Sequence, residues 1–262
     1  MAESPVRSVD KALAVLQLLG EKGPDGLSLV DIAQALGSPK SGAHLTLSAL
    51  RHRGFVTQDR ESGRYRLGGE TLRVAASYEE KLSFRTSLLP LIRRLSEEIR
   101  QVCHVGILDG ADIIYLEKVD ADRSVTVGSK IGGRNPAAST ALGRAVLACH
   151  EWNSGALRAQ LGGTKAGPLP GLSWTHLQDA LEQARARGYA LDLEENEPGI
   201  ACVAVPVLLN GVPCCAISIS TLAGETGPAT LAGYVERLHA LAAQYLVPPL
   251  QLPPRPVGAR PR

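Results

Sequence analysis

The stretch Ser28–Leu67, SLVDIAQALGSPKSGAHLTLSALRHRGFVTQDRESGRYRL, leaves few options for the fold of its part of the chain. Ser28, with Asp31 three residues later and an apolar run beyond, has the form of a capping box at a helix start. Ile32, Ala35 and Leu36 supply an apolar stripe, and Gly37 is suited to the left-handed backbone that closes a helix. A second helix is expected from around Pro39, a residue tolerated at a first helical position. Ala43, Leu47 and Leu50, spaced i, i+4 and i+7, turn its apolar face onto the first helix. Two short helices joined through a glycine turn suggest a helix-turn-helix. Gly54 then ends the second helix, and Phe55–Thr57 and Tyr65–Leu67 read as strands around a turn at Arg60–Gly63. Helix, turn, helix and hairpin in that order make a winged helix-turn-helix.

The exposed side of the second helix indicates what such a module contacts. At about 100° per residue, Ser41, His44, Leu45, Ser48 and His52 lie opposite the apolar stripe. Small and polar groups of this kind suit a helix that enters a major groove. Lys40, Arg51, Arg53, Arg60, Arg64 and Arg66 stand against Asp59 and Glu61 alone, so the stretch is locally basic. The alternative is a helical hairpin whose basic face is merely solvated. The whole chain has a net charge of only +2. Residues 1–68 hold nine Lys/Arg and seven Asp/Glu while the remainder is balanced, so the entire excess lies in the first quarter. Aromatic residues make up 4%, which disfavours a stacking platform for single-stranded nucleic acid.

At 262 residues the chain has room for two domains, each with its own core. Ser8 opens a first helix with Val9, Leu13, Leu16 and Leu19 on one face, closed by Gly20 and the Gly23–Gly26 turn. It supports a DNA-binding domain over residues 1–68. A linker helix over 69–83 follows, with Leu72, Ala75, Ala76, Tyr78 and Leu82 as candidate contacts. A second domain over 84–247 opens with an amphipathic helix that Pro90 either starts or kinks. Strands are expected at Val102–Leu108 and Ile113–Val119 around Asp109-Gly110, and at Ser124–Gly128. A helix over Ser139–His150, a loop over Leu161–Gly171 and a helix over Thr175–Arg187 come next. Strands at Tyr189–Leu191, Ile200–Val207 and Cys214–Ser220 and a closing helix over Leu231–Leu246 complete a mixed sheet with helices. Residues 248–262 belong to a Pro/Arg-rich tail expected to be disordered.

No apolar run reaches the roughly 18–20 residues of a membrane span, and the N-terminus lacks a signal-peptide layout. Five cysteines in no framework spacing point to a reducing cytoplasm. Cys103-His104 and Cys214-Cys215 place neighbours on opposite faces of a strand, so neither pair converges on a metal. Cys202, His104 and Asp192 could be assembled into a nucleophilic set on paper, yet no nucleophile motif surrounds them. No catalytic residue, metal or cofactor is therefore assigned. The small residues of Pro136–Ala145 are compatible with a helix start whose free N–H groups hold an anion, or simply with close packing. The acid-rich run from Asp192 to Glu197 is either a solvated loop or the source of one carboxylate directed into the sheet.

Taken together, SPKSGAHLTLSALRHRGFV, GRYRLG, STALGRAVLA, RGYALDLEENEPGIACVAVPV and CAISIS make the chain resemble the IclR family from about Val6 to Leu246. The resemblance implies an α+β fold: an N-terminal winged helix-turn-helix joined by a linker helix to a GAF-like mixed α/β effector-binding domain. It implies a cytoplasmic regulator that binds double-stranded operator DNA as a homodimer or a dimer of dimers. Such a protein senses a small organic acid or aromatic metabolite, in many cases to control catabolic genes. The effector site carries over to the backbone of Ala141 and Leu142, to Asp192, Cys202, Ser218 and Ser220, and to the apolar Ile200 and Leu142. An arginine is usual in the family where Leu45 stands, and a lysine where Arg144 stands. DNA contact is accordingly expected from Ser41, His44, Leu45 and Ser48, with charge for phosphate from Lys40, Arg51, Arg64 and Arg66. The competing possibility is a small-molecule enzyme that uses its N-terminal module for assembly.

Overall fold

The structure is a computed structural model that describes residues 5–79, 84–121, 128–164 and 167–254. The chain divides into two compact units, Met1–Ser83 and Phe84–Arg262.

In the first unit, α1 (Arg7–Lys22), α2 (Leu29–Ala35) and α3 (Lys40–His52) precede a hairpin of β1 (Val56–Gln58) and β2 (Tyr65–Leu67), and then α4 (Gly69–Glu79). The capping box forms: Ser28 Oγ accepts the Asp31 N–H at 3.2 Å, and Asp31 Oδ2 accepts the Ser28 N–H at 3.2 Å. Pro39 caps α3 from outside instead of opening it. Val15, Leu19, Ile32, Leu47, Val56 and Tyr65 form the core.

Several details differ from the sequence reading, among them Ala35, which is exposed on α2 while Ala33 is buried beside Ile32. α1 continues through Gly20 to Lys22, and it buries Val15 and Leu19 while Val9 and Leu13 stay more than half exposed. Apolar residues occupy most of the circumference of α1, so spacing alone did not select the buried stripe. On α4, Leu72, Ala75, Ala76 and Tyr78 are all exposed, so none is an internal contact; Leu82 lies outside the described residues.

The second unit runs α5 (Phe84–Ile99), β3 (Val102–Asp109), β4 (Asp112–Val119), β5 (Arg134–Pro136), α6 (Ala141–Ala148), α7 (Ser154–Leu161), α8 (Trp174–Arg187), β6 (Ala190–Leu193), β7 (Ile200–Leu209), β8 (Val212–Leu222), α9 (Pro228–Tyr245) and β9 (Leu250–Gln251). Pro90 lies inside α5. The strand order is β5-β4-β3-β8-β7-β6, with β9 on the far end of β7. Every pairing among the described strands is antiparallel, which corrects the expectation of a mixed sheet. The expected strand Ser124–Gly128 lies largely outside the described residues, and Gly128 itself has no regular structure. The proline-rich tail also needs correction, because Leu250 is buried and pairs with Leu209, so order extends past residue 247. Pairing of Leu250 and Gln251 with the end of β7, the Asn210 N–H to the Pro249 carbonyl and burial of Leu250 hold that segment despite its composition.

The two faces of the sheet are built differently. Cys103, Val105, Val203, Val205, Ile217 and Ile219 are all buried and, by strand alternation, share one face. Against it lie α5, with Leu88, Leu91, Ile92 and Leu95, and α9, with Leu231, Val235, Leu238 and Leu241. The opposite face carries Gly106, Ala204 and Ala216, small enough for α6 to approach closely. A Cβ at Gly106 would stand 2.7 Å from Ile113 Cγ2 and 3.0 Å from Leu142 Cδ1. All eight residues of α6 are buried, and a Cβ at Gly143 would meet the Ala137 carbonyl oxygen at 2.2 Å.

Gly143→Ala is therefore expected to destabilise the second unit even though alanine is the better helix former. Helix propensity favours alanine by about 1 kcal/mol, whereas forcing atoms into a packed contact costs about 1–3 kcal/mol and more against backbone. A lower urea midpoint for the second unit, read by circular dichroism, is the expected result; an unchanged or higher midpoint contradicts this account.

Candidate DNA-binding face and ligand cavity

In the first unit, α3 buries Ala43 and Leu47 and exposes Lys40, Ser41, His44, Leu45, Ser48 and Arg51. Leu45 is 71% exposed, with nothing from its own domain to cover it. Arg51 donates to Gln58 Oε1 at 2.9 Å, and Gln58 in turn donates to the Gly63 carbonyl, so α3 and the hairpin tip are tied together. Asp59 shapes that tip by accepting from the Ser62 N–H at 2.8 Å and from its hydroxyl at 2.7 Å.

The two hairpin arginines are less available than the sequence suggests. Arg64 donates to the Gly26 carbonyl at 3.0 Å, and Arg66 lies 3.8 Å from Asp59 with its Nε buried. A Cβ on Gly26 would meet the Tyr65 carbonyl at 2.5 Å and Arg66 Cγ at 2.8 Å, so both arginines lie against the turn before α2. Arg64 thereby uses part of its hydrogen-bonding capacity on the turn, whereas Arg66 is restrained by packing and by the Asp59 charge, its Nε having no partner among the described residues.

In the second unit, all seven residues expected at the effector site line one cavity of about 410 Å³: Ala141, Leu142, Asp192, Ile200, Cys202, Ser218 and Ser220. Its floor is the small-residue face of the sheet, continued beyond the reach of α6. There Tyr115, His104, Ser218, Ser220, Cys202 and Asp192 come from the consecutive strands β4, β3, β8, β7 and β6. Strand pairing puts His104 opposite Ser218, and Cys202 opposite both Ser220 and Asp192. Alternation along β3 could have revealed His104 from sequence, because it shares a face with Gly106 and not with Cys103.

The start of α6 borders this floor. Thr140 caps the helix by accepting the Gly143 N–H at 3.1 Å, and the Arg144 N–H goes to the Thr140 carbonyl. The N–H groups of Ala141 and Leu142 have no partner among the described residues, which leaves two adjacent donors at the positive end of a buried helix.

Arg144, 2% exposed, fixes the other wall. It donates to the Ala138 carbonyl at 2.8 Å, the Leu191 carbonyl at 3.0 Å and Glu195 Oε1 at 2.8 Å, and also to Glu195 Oε2. Burial works against the Glu195 charge, yet hydrogen bonding and charge from Arg144 hold its carboxyl below the usual range. Asp192 Oδ1 accepts the N–H groups of Glu195 at 2.9 Å and Asn196 at 3.2 Å. Its Oδ2 has no partner among the described residues. Burial pushes the Asp192 carboxyl up to about 6, against the pull of those two N–H groups and of Arg144.

His104 lies between Ser129 (Nε2 to Oγ, 2.7 Å) and Ser218 (Nδ1 to Oγ, 3.4 Å). Burial first, and the Lys118 charge second, bring its imidazole down to about 4, so the ring is neutral near pH 7. Burial likewise pushes the Cys202 thiol up to about 12, and its sulfur rests 3.1 Å from Ser220 Oγ. A thiol so strongly protonated is an unreactive wall group. Among the described residues no group of three or more His, Cys, Asp or Glu converges on a possible metal position. No described helix is long and apolar enough to cross a membrane.

Comparison with known proteins places both units in a family. Residues 8–60 match the IclR helix-turn-helix domain, and residues 76–246 match the bacterial transcriptional regulator IclR C-terminal domain. The HTH-type transcriptional regulator XynR of Escherichia coli K12 is 36% identical, over 89% of this chain and 93% of that protein. The IclR structure from Thermotoga maritima superposes with a TM-score of 0.70 at 27% identity, covering 91% of this chain and 97% of that one. An IclR homolog of Microbacterium hydrocarbonoxydans, solved with 4-hydroxybenzoate, shares the fold with a TM-score of 0.72 at 20% identity, covering 91% and 98% of the two chains. The relatives are named as transcriptional regulators, which removes the enzyme alternative.

The Asp192 environment has a measurable consequence. Folding raises its pKa from the ordinary 3.8 to about 6, so the folded state holds the proton more tightly than the unfolded chain. Ionised Asp192 therefore costs stability above about pH 6, and the cost disappears below the unfolded value. Asp192→Asn is expected to stabilise the second unit at pH 8 by up to about 3 kcal/mol, at roughly 1.4 kcal/mol per pH unit. The gain shrinks as the pH falls towards 4. Urea melts of parent and variant at both pH values test this, and a gain independent of pH refutes it.

Proposed function

The chain belongs to the IclR family of DNA-binding transcriptional regulators, and from that premise we propose that it binds operator DNA as a homodimer or dimer of dimers under the control of a small carboxylate. The exposed face of α3 supports the DNA half of this reading. Ser41, His44, Leu45 and Ser48 meet base edges, Leu45 touching thymine methyl groups where a polar residue would seek a hydrogen bond. Lys40 and Arg51 meet phosphate, while Arg64 and Arg66 contribute mainly by fixing the hairpin. In a two-fold dimer the two recognition helices read half-sites about one helical turn, roughly 34 Å, apart or a multiple of it.

The observation that carries the sensing half is the pair of unpartnered N–H groups of Ala141 and Leu142 on a buried cavity. Free amides at a helix start hold a carboxylate. Asp192, Cys202, Ser218 and Ser220 contact the rest of the effector, with Leu142 and Ile200 as apolar wall. The effector shifts an equilibrium between forms of different DNA affinity, and a coupling of about 1–3 kcal/mol changes operator affinity about 5–150-fold. Catabolic genes are the proposed targets.

Anisotropy titrations with a duplex selected from a random-sequence library test the DNA assignment. Lys40→Ala is expected to weaken binding and to reduce the slope of log affinity against log salt by about one. Arg64→Ala should lower the melting temperature of the first unit, because it releases the Gly26 carbonyl. An unchanged salt slope in Lys40→Ala removes that residue from the interface.

A further inference from the structure

We propose that the cavity is built for a hydroxylated aliphatic monocarboxylate, whose carboxylate sits on the Ala141 and Leu142 amides and whose hydroxyls are read by Asp192, Tyr115 and Asn196. This rests on the cavity being the effector site and specifies the ligand class. The inference starts from hydrogen-bonding capacity that the protein leaves unused. Asp192 is 3% exposed, and its Oδ1 is consumed by the Glu195 and Asn196 N–H groups, so Oδ2 is an acceptor turned to the cavity. Tyr115 accepts from Asn135 at 3.0 Å, which leaves its own proton to give. Asn196 accepts from Ser139 through Oδ1 at 3.5 Å and keeps its amide N–H groups. Ser218, Ser220 and Cys202 are engaged with His104 or with each other, yet each oxygen can take one further bond.

A cavity with an anion cradle at one end and spare donors and acceptors along its floor matches a ligand with several neutral hydroxyls. Neighbouring strands lie about 4.8 Å apart, so the polar groups of the floor recur along its length and do not cluster at one point. An unsubstituted acyl chain displaces cavity water and leaves those groups unpaired. An aromatic ring carries polar groups only at its edge, so its faces leave Ser218, Ser220 and Asp192 without hydrogen-bond partners. A second carboxylate is disfavoured because Asp192 and Glu197 are already acidic. Arg144 is bound to Glu195 and two carbonyls, and Arg134 to Asp109 and Asp112, so neither is free to balance it. Lys130, the remaining cation of the lining, is exposed, so water screens its charge.

Thermal shift followed by calorimetry on the full chain tests the assignment with four sets of probes. These are four- to six-carbon aldonates, the alkanoates of equal length, 4-hydroxybenzoate with benzoate, and the aldarates. At least one aldonate is expected to bind at least about tenfold more tightly than any member of the other sets, since a site made for hydroxyls rejects analogues lacking them. Glucitol, which lacks the carboxylate, should not bind. Asp192→Asn keeps an oxygen for the Glu195 and Asn196 N–H groups but turns the cavity-facing acceptor into a donor. It should weaken the aldonate at least about tenfold while the melting profile remains cooperative. Preferential binding of an alkanoate, a benzoate or an aldarate overturns the inference and leaves the effector cavity standing, as does an unchanged aldonate affinity in Asp192→Asn. If no carboxylate of any set binds, the effector-cavity reading falls and this inference falls with it.

Discussion

A guanidinium with 2% of its surface exposed must have its charge and its donors satisfied from within, and Arg144 meets that demand in a way that shapes the whole cavity. Its partners are the Ala138 carbonyl before α6, the Leu191 carbonyl on β6 and the Glu195 carboxylate after β6. One side chain thereby joins the helix that supplies free amides to the strand and loop that supply Asp192. Glu195 is the costlier half of the pair to remove, because its loss leaves the buried guanidinium without its counter-ion, whereas Glu195 itself reaches solvent. The same bond orients the Glu195 N–H, which with that of Asn196 occupies Asp192 Oδ1 and leaves only Oδ2 for a ligand.

That arrangement requires α6 to lie very close to the sheet, and the sheet permits it through side-chain size. On the face against α5 and α9, β-branched residues fill space. On the other face, Gly106, Ala204 and Ala216 leave room for a helix, and the same strands turn polar two or four residues further along. The period of two along each strand thus separates a dry apolar layer from a second layer that is half helix seat and half cavity floor. Gly143 extends the same logic to the Ala137 loop, where backbone contacts backbone with no room for a methyl group.

Much of this was legible from residue pattern alone. The Ser28–Asp31 box, the Ala43 and Leu47 face and the Gly54 stop are local features, and local chemistry decides them. The seven cavity residues followed from resemblance, and the spacing of Ser218 and Ser220 already put both on one face. Harder to read was anything decided by neighbours distant in sequence. α1 is apolar nearly all round, so only the positions of α2 and α3 determine that Val15 and Leu19 go inside. Arg64 and Arg66 look like free phosphate ligands until the turn at Gly26 is seen beneath them. Leu250 sits in a proline-rich tail whose composition suggests disorder, yet a strand end was available to pair with it.

With α3 as the proposed recognition helix, long-range contacts of this kind also set what it can read in DNA. Arg51, the proposed phosphate ligand on α3, is already held by Gln58 before DNA arrives. Preorganised charge of this kind loses little side-chain entropy on binding, so it favours backbone contact and a fixed register over a search for base edges. Leu45 sits in the middle of the exposed face without a hydrogen-bonding group, and bidentate pairing with guanine is closed to it. In the proposed complex, direct readout at that position reduces to apolar contact with a methyl group. In the proposed complex, discrimination elsewhere is left to His44 and Ser48 and to the deformability of the DNA.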